Sequence, residues 1–411
     1  MSTTPHPATA LLPDPAPTPP PRRARLLGLD AARGVALLGM MAVHALLLVD
    51  DDGNPTTAFT LAAGRSAALF AVLAGVGIAL LTGRRRVGGT DAAPVAAALL
   101  TRAAVIGAIG LVLGYADVEY AVVILPFYAV LFVLAVPLVL LPTPLVAAIG
   151  LGAATVVPAA LTWAADVLPE PMIDNPGAGD LIADPGHWLL ELTLVGEFPA
   201  LPWTAYLCAG LVVGRLRLEH IDVAAALLLV GTTLAVGAHL TSHLLLHRLG
   251  GNDRILATTG LSDQDLTQIL TFGQDGLLPA RTWWWLAVDA PHTSTTADLV
   301  ATIGSSLIVL AVMLLAGHVT ARRVRPLLEV LLVPLAAAGS MTLTLYVAHI
   351  WFVNSAYDTY SPTVGYLIQV AAALIVGLAV RSTAGRGPLE ALTTAAATRA
   401  RRALTTKSAR P

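Results

Sequence analysis

Apolar stretches recur along almost the whole chain and are separated by short polar segments. A stretch of about twenty apolar residues spans the hydrocarbon core of a bilayer as an α-helix. The alternating ten-residue pattern typical of membrane β-barrel strands is absent from the sequence. We therefore predict ten helices at about 27–49, 59–82, 94–114, 120–141, 145–165, 198–214, 222–247, 297–317, 327–352 and 362–380.

The parts of the chain between and around these stretches differ in character. Residues 1–21 are rich in Pro, Ala and Thr and predict a disordered tail, residues 22–385 a transmembrane helical domain, and residues 386–411 a basic cytoplasmic segment. Pro126 and Pro137 in the fourth stretch and Pro334 in the ninth predict kinks. Two loops, at about 166–197 and 248–296, are too long for simple connectors.

Basic residues indicate how the predicted helices are oriented. With a cytoplasmic N-terminus, eighteen Lys and Arg residues lie inside and four outside, while Arg33 and Arg102 lie within helices. Cytoplasmic loops are enriched in Lys and Arg, so we predict that both termini are cytoplasmic. The four outer residues are Arg65, Arg248, Arg254 and Arg281. In the second long loop, Arg281 precedes Trp283, Trp284 and Trp285, which indicate either an interfacial anchor or a packed loop core.

Composition excludes the main alternatives to this fold. The chain is 56% hydrophobic and 12% charged, with a mean hydropathy of +0.75, whereas soluble domains carry about 25% charged residues. These values exclude a soluble globular protein and a disordered chain, and the single cysteine, Cys208, excludes a disulfide scaffold. We predict an all-α, multi-pass protein of the cell membrane with about ten transmembrane helices.

Ionisable residues in the first helix are the strongest candidates for chemistry, because burying them in a membrane is costly. Asp30 and Arg33 are one turn apart and can form an ion pair. His44 follows Arg33 by eleven residues, which places both side chains on one face about 16 Å apart. We predict catalytic roles for His44, Asp30 and Arg33; an ion pair that only fixes helix depth and a histidine that only packs remain alternatives. Gly34 and Gly39 allow close approach of a helix or a ligand.

Four residues of the outer half are candidates for substrate binding. Arg65 begins the second helix, His292 precedes the eighth, and His349 lies in the ninth, one turn after Tyr346. The alternatives are a snorkelling arginine at Arg65, a loop histidine without function at His292, and packing at the other two.

A metal site is not expected, although His239, His243 and His247 share one helical face. Imidazoles so spaced can bind zinc, but no HExxH pattern accompanies them. P-loop, GxSxG, CxxC and Rossmann motifs are absent from the sequence. Nucleic-acid binding is unsupported because topology alone accounts for the basic residues. Membrane lipids are expected partners, and a homo-oligomer stays an open alternative.

The opening motif carries a family resemblance. Leu29-Asp30-x-x-Arg33-Gly34-x-Ala36-Leu37-x-x-Met40-x-x-Val43-His44, followed by GRSAALFAVLAGVGIAL, resembles the start of the transmembrane acyltransferase superfamily, in particular the heparan-alpha-glucosaminide N-acetyltransferase catalytic domain and its bacterial relatives. Segments 290–310, 339–352 and 386–392 are similar to the bacterial relatives, whereas about 115–270 shows little similarity.

The resemblance implies that an acyl group, acetyl in the family, passes from cytoplasmic acyl-CoA to a small-molecule or glycan acceptor on the far side of the membrane. Acyl-CoA would be the co-substrate. In the animal enzyme of this family, the position that matches His44 looks like Asn, and the catalytic histidine lies in the loop that follows. Here residues 49–58 contain no histidine, so either His44 itself acts or the activity is changed or lost.

Two function classes follow. In the leading hypothesis, an acyltransferase, His44 is the general base, Arg33 and Asp30 orient the helix or the donor, and Arg65 or His292 stabilises an oxyanion or binds the acceptor. The alternative is a transporter or channel for a polar or lipid-linked solute, which ten helices with prolines and buried charges also fit. A non-catalytic membrane scaffold is a third hypothesis.

Overall fold

The computed structural model describes residues 27–274, 277–279, 282–319 and 321–408. The predicted tail at 1–21 and Arg281 lie outside these residues. The described chain contains α-helices and short 3₁₀ and π-helical turns, with no β-strand. Its α-helices are α1 (Leu27–Ala45), α2 (Thr57–Ala62), α3 (Arg65–Leu81), α4 (Ala92–Leu113), α5 (Leu125–Val139), α6 (Thr143–Ala164), α7 (Ala178–Ala183), α8 (Pro185–Leu190), α9 (Ala200–Gly214), α10 (Ile221–His243), α11 (Gly251–Thr259), α12 (Asp263–Phe272), α13 (Thr296–His318), α14 (Arg325–Gly339), α15 (Thr342–Val353), α16 (Pro362–Thr383) and α17 (Pro388–Ser408).

These helices confirm an all-α, multi-pass membrane protein. Within the described ranges, seven helical segments are long and apolar enough to cross a bilayer, and the bent pair α14–α15 makes an eighth. The two remaining predicted spans correspond to the shorter apolar helices α5 and α9. The number of ten and the cytoplasmic termini stay predictions.

Two of the three prolines that predicted kinks are not the sites of a bend. Pro126 lies in the first turn of α5, where its missing N–H costs nothing, so it begins the helix instead of bending it. Pro334 lies within α14, and the 78° bend of the ninth span falls at residues 340–341. The bend follows Gly339, the residue at which α14 packs against α1.

Helix α1 lies at the centre of the fold, against α3, α13, α14, α15 and α16. Its crossing with α14 depends on two glycines: a Cβ on Gly34 would lie 2.2 Å from the Leu335 carbonyl oxygen, and one on Gly339 would lie 1.8 Å from the Asp30 carbonyl oxygen. Gly39 likewise faces Ser66 of α3. The predicted close approach at Gly34 and Gly39 is therefore observed.

The second long loop folds into a small core of its own. Trp285 is fully buried there with Ile255 and Leu266, and its indole N–H donates to the Pro279 carbonyl at 2.8 Å. Trp284 lies under the Arg254 guanidinium, 5.1 Å from it. Trp283, in contrast, is 62% exposed. Of the two alternatives, Trp285 therefore fits a packed loop core. Trp283 is the exposed one of the three and fits an interfacial anchor.

Candidate active site

Two predicted histidines meet where α1 ends and α15 passes beside it. His44 Nδ1 lies 3.0 Å from His349 Nε2, and the two rings are nearly parallel, with centroids 5.2 Å apart. On its other side, His349 Nδ1 is hydrogen-bonded to Oε1 of Gln369 on α16. His349 and Gln369 are buried, whereas His44 is partly exposed. Three helices thus converge on a line of three polar side chains.

His292 lies in the loop before α13, within electrostatic reach of His44. Its Nε2 accepts the Gly64 N–H at 3.1 Å, and its Nδ1 lies 3.3 Å from Glu197 Oε1. Burial lowers the pKa of His292 to about 4, so its ring is neutral near pH 7. His292 therefore holds the start of α3 through Nε2, whereas its buried Nδ1 makes no hydrogen bond to Glu197 or to any other described residue.

The other two predicted binding residues have different positions. Arg65, at the first position of α3, donates from Nη1 to the Thr60 carbonyl at 2.6 Å. Tyr346 is buried, and its hydroxyl accepts the Ile124 N–H at 3.3 Å. Tyr346 therefore lies one turn of α15 below His349, toward the Arg33 end of α1.

Asp30 and Arg33 form the predicted pair, with 3.0 Å between Asp30 Oδ1 and Arg33 Nη1. They line a cavity of about 980 Å³ at the end of the helices predicted to be cytoplasmic. Gly77 makes room for the guanidinium, since a Cβ there would lie 3.0 Å from Arg33 Nη2. The charged residues of the cavity wall are Arg33, Arg84, Arg102, Arg386, Asp30, Glu219 and Glu390.

The arginines of this cavity are unequally neutralised. Arg84 forms two hydrogen bonds of 2.6 and 2.8 Å with Glu219. Arg102 and Arg386 repel each other, and no salt bridge joins either of them to a carboxylate in the described part of the chain. Two like charges beside one cavity favour binding of an anion.

Arg386, which lines the cavity, lies two residues before α17, and the first turn of α17 is bonded to α15. Glu390, in the first turn of α17, accepts hydrogen bonds from the Thr344 N–H at 3.1 Å and from its hydroxyl at 2.6 Å. The Leu389 N–H also donates to the Thr344 hydroxyl. The basic C-terminal segment thus packs against α15 and forms part of the cavity wall.

A second cavity of about 170 Å³ continues from the first toward the histidines. The two share Arg33, Ala74 and Phe132 as lining residues. The second reaches Met40 and Tyr346, which lie one turn before His44 and His349 on α1 and α15. Its remaining walls are mostly apolar. A path of cavities therefore runs from the arginines to the level just below the imidazole pair.

The histidines of α10 are arranged differently. His239 is paired with Asp289 at 2.8 Å, and the rings of His243 and His247 lie 4.8 Å apart. His247 lies in a π-helical turn, Leu244–Arg248, and its ring stays beside that of His243 as the spacing predicted. No group of three potential ligands is close enough for a metal ion in the described ranges.

Glu197, Gln369 and Arg386 were not among the predicted site residues. Gln369 has a recognisable signal, a single amide within an apolar helix. Arg386 lies in the RGPLEAL segment that carried part of the resemblance, but as a loop arginine it gave no sign of facing a cavity. Glu197 lies in an irregular segment before α9 and has no such signal.

A family model described as "Heparan-alpha-glucosaminide N-acetyltransferase, catalytic" matches residues 25–249, more than half of the chain. The match includes most of the middle region in which we found little similarity. His292, His349 and Gln369 lie beyond it. The comparison with curated proteins gave no match.

Proposed function

Because the chain belongs to the heparan-alpha-glucosaminide N-acetyltransferase catalytic family, we propose that it is a membrane acyltransferase that uses acyl-CoA. The acyl group, acetyl in the family's name, would pass to a hydroxyl or amine of a glycan or sugar-like acceptor on the outer side. One observation carries this proposal above all: the two adjoining cavities that run from the arginines to Met40 and Tyr346, one helical turn short of the imidazole pair.

The larger cavity is suited to the charged end of acyl-CoA. Arginine binds phosphate well because its planar guanidinium donates two parallel hydrogen bonds. Arg102 and Arg386 lack carboxylate partners within the described ranges, so an anionic ligand would relieve their mutual repulsion. Arg33, held by Asp30, stands where the two cavities join. We assign Arg33 and Asp30 to donor orientation.

The smaller cavity is suited to the acyl-bearing end of the donor. Its walls of Leu, Ile, Phe and Met side chains favour an apolar chain and exclude water from the thioester. A thioester at its far end, beside Tyr346, would have its carbonyl carbon about one helical turn below the histidines. Tyr346 would then contact the donor, a different role from the acceptor binding that the sequence suggested.

His44 is the general base of the proposed reaction. Its Nε2 takes the proton of the acceptor hydroxyl or amine as that group attacks the thioester carbonyl. The tetrahedral intermediate then collapses, the carbon–sulfur bond breaks, and the proton passes from His44 to the CoA thiolate. Arg65 and His292, which the sequence predicts on the outer side, are assigned to the acceptor, His292 through its hold on Gly64.

The test is substitution of His44 in the full chain reconstituted in vesicles. We expect His44→Ala to reduce transfer of labelled acetyl groups from acetyl-CoA to a panel of sugars and amino sugars by at least about a hundredfold. His247→Ala, at an exposed histidine of the π-helical turn after α10, is the matched control and should retain activity. Unchanged transfer by a correctly folded His44→Ala protein would overturn the mechanism. Solute flux without acetyl-CoA consumption would instead support a transporter.

A further inference from the structure

With the Gln369 amide oxygen turned toward His349, the hydrogen-bonded line Gln369–His349–His44 constrains which nitrogen of His44 carries a proton. An amide oxygen can only accept a hydrogen bond, so Gln369 Oε1 requires the proton of His349 to be on Nδ1. A neutral imidazole has one N–H, and His349 Nε2 must therefore accept. His44 Nδ1, 3.0 Å away, is then the donor. The lone pair of His44 is left on Nε2.

This tautomer is the one that the proposed reaction needs. Among the described residues, His44 Nε2 has no hydrogen-bond partner, and His44 is the most exposed member of the line. The opposite orientation of the Gln369 amide would donate to His349 Nδ1 and place a proton on each Nε2. His44 would then present an N–H to the acceptor and could not act as a base.

We propose that Gln369 is a positioning residue, which acts through His349 to hold His44 in the tautomer with a free Nε2. This inference rests on the proposed acyltransferase function for its kinetic part only. Gln369 touches neither cavity, so its effect on the reaction passes through the two imidazoles. The burial of Gln369, 7% exposed, and the packing of α16 on α1 keep the line in place.

Two substitutions separate the hydrogen bond from the packing. Gln369→Glu keeps an acceptor opposite His349 and cannot donate when ionised, whereas Gln369→Met has a similar length and no amide. We expect Gln369→Met to lower kcat about tenfold to a hundredfold, with the KM for acetyl-CoA nearly unchanged. Gln369→Glu should retain most of kcat.

The pH profile distinguishes a positioning role from a structural one. A carboxylate beside His349 favours the protonated imidazole, so Gln369→Glu should move the acidic limb of the kcat profile to higher pH. The other titratable groups around His44 are His292, with Glu197 behind it, and Tyr346 below His349; all are retained in both variants. An unshifted limb in Gln369→Glu would contradict the proposal.

A measurement of tautomers makes the inference independent of activity. Nitrogen-15 NMR of the reconstituted full chain labelled at histidine, with His44 assigned from His44→Ala, should show a protonated Nδ1 and an unprotonated Nε2 at neutral pH. Gln369→Met should convert this signal to a mixture. A protonated Nε2 in the unmodified chain, or the same signal and kcat in Gln369→Met, overturns the proposal. Full activity of His44→Ala would refute the proposed function while leaving the tautomer result intact.

Discussion

The close crossing of α1 and α14 predicts a large effect of one added methyl group, in Gly339→Ala. A Cβ at this position would lie 1.8 Å from the Asp30 carbonyl oxygen and 2.6 Å from the Gly34 nitrogen. Ordinary contact begins at 3.4 Å, so the closest approach is 1.6 Å too short. Both atoms belong to the backbone and cannot rotate away. The helices must therefore separate, and overpacking of this kind costs about 1–3 kcal/mol.

The same separation should disturb the site, because α14 leads through the bend into α15 and His349. A displacement of about 1 Å at reacting groups can lower a rate about a hundredfold, and we expect a loss between tenfold and a hundredfold in Gly339→Ala. Gly152→Ala on α6 is the control, since no atom lies within 4 Å of the added Cβ.

Cys208 provides the assay of stability. It is the single cysteine of the chain and is fully buried, so a thiol-reactive dye labels it only when the protein opens. Gly339→Ala should be labelled at a temperature a few degrees below the unmodified chain, and Gly152→Ala should not. Equal labelling temperatures and equal transfer for both variants would refute the reasoning about the crossing.

Three further results are expected. Arg386→Ala should raise the KM for acetyl-CoA about tenfold or more with little change in kcat, through loss of a charged contact, whereas Arg322→Ala, on an exposed loop, should change neither. Burial lowers the pKa of His292 to about 4 in the folded protein, below its value in the unfolded chain. The contribution of this neutral histidine to the free energy of unfolding is therefore complete above about pH 6.5 and should fall by up to about 3 kcal/mol as the pH drops toward 4. A His292→Gln variant that unfolds with the same pH dependence would contradict this. Glu390→Ala should loosen α17 from Thr344 and speed trypsin cleavage at its exposed arginines, and unchanged cleavage would show that its packing on α4 is sufficient to hold it.

The sequence predicted the features that depend on local periodicity. Apolar stretches predicted the positions of the helices, and the spacing of Asp30 and Arg33 predicted their ion pair, because both depend on residues within one helix. The sequence also singled out His44 and His349. Their contact joins residues 305 positions apart, and no pattern within either helix determines that pairing.

The features that the sequence did not predict depend on tertiary packing. The bend at residues 340–341 lies beside the contact of Gly339 with α1 and not at Pro334, so the rule that prolines kink helices did not locate it. Likewise, the second nitrogen of His292 meets Glu197 only because two separate loops meet. Arg386 was counted as one of many cytoplasmic basic residues, since topology alone explains a loop arginine. Its place in a cavity wall becomes visible only when α17 is seen against α15.

The hydrogen bonds of Glu390 have a mechanical consequence for the two ends of the cavity path. Thr344 lies five residues before His349 on one short rigid helix, and Glu390 lies four residues after Arg386. The hydrogen bonds between Glu390 and Thr344 therefore couple the position of the Arg386 guanidinium to that of the His349 imidazole. Neither can be displaced far without straining the other.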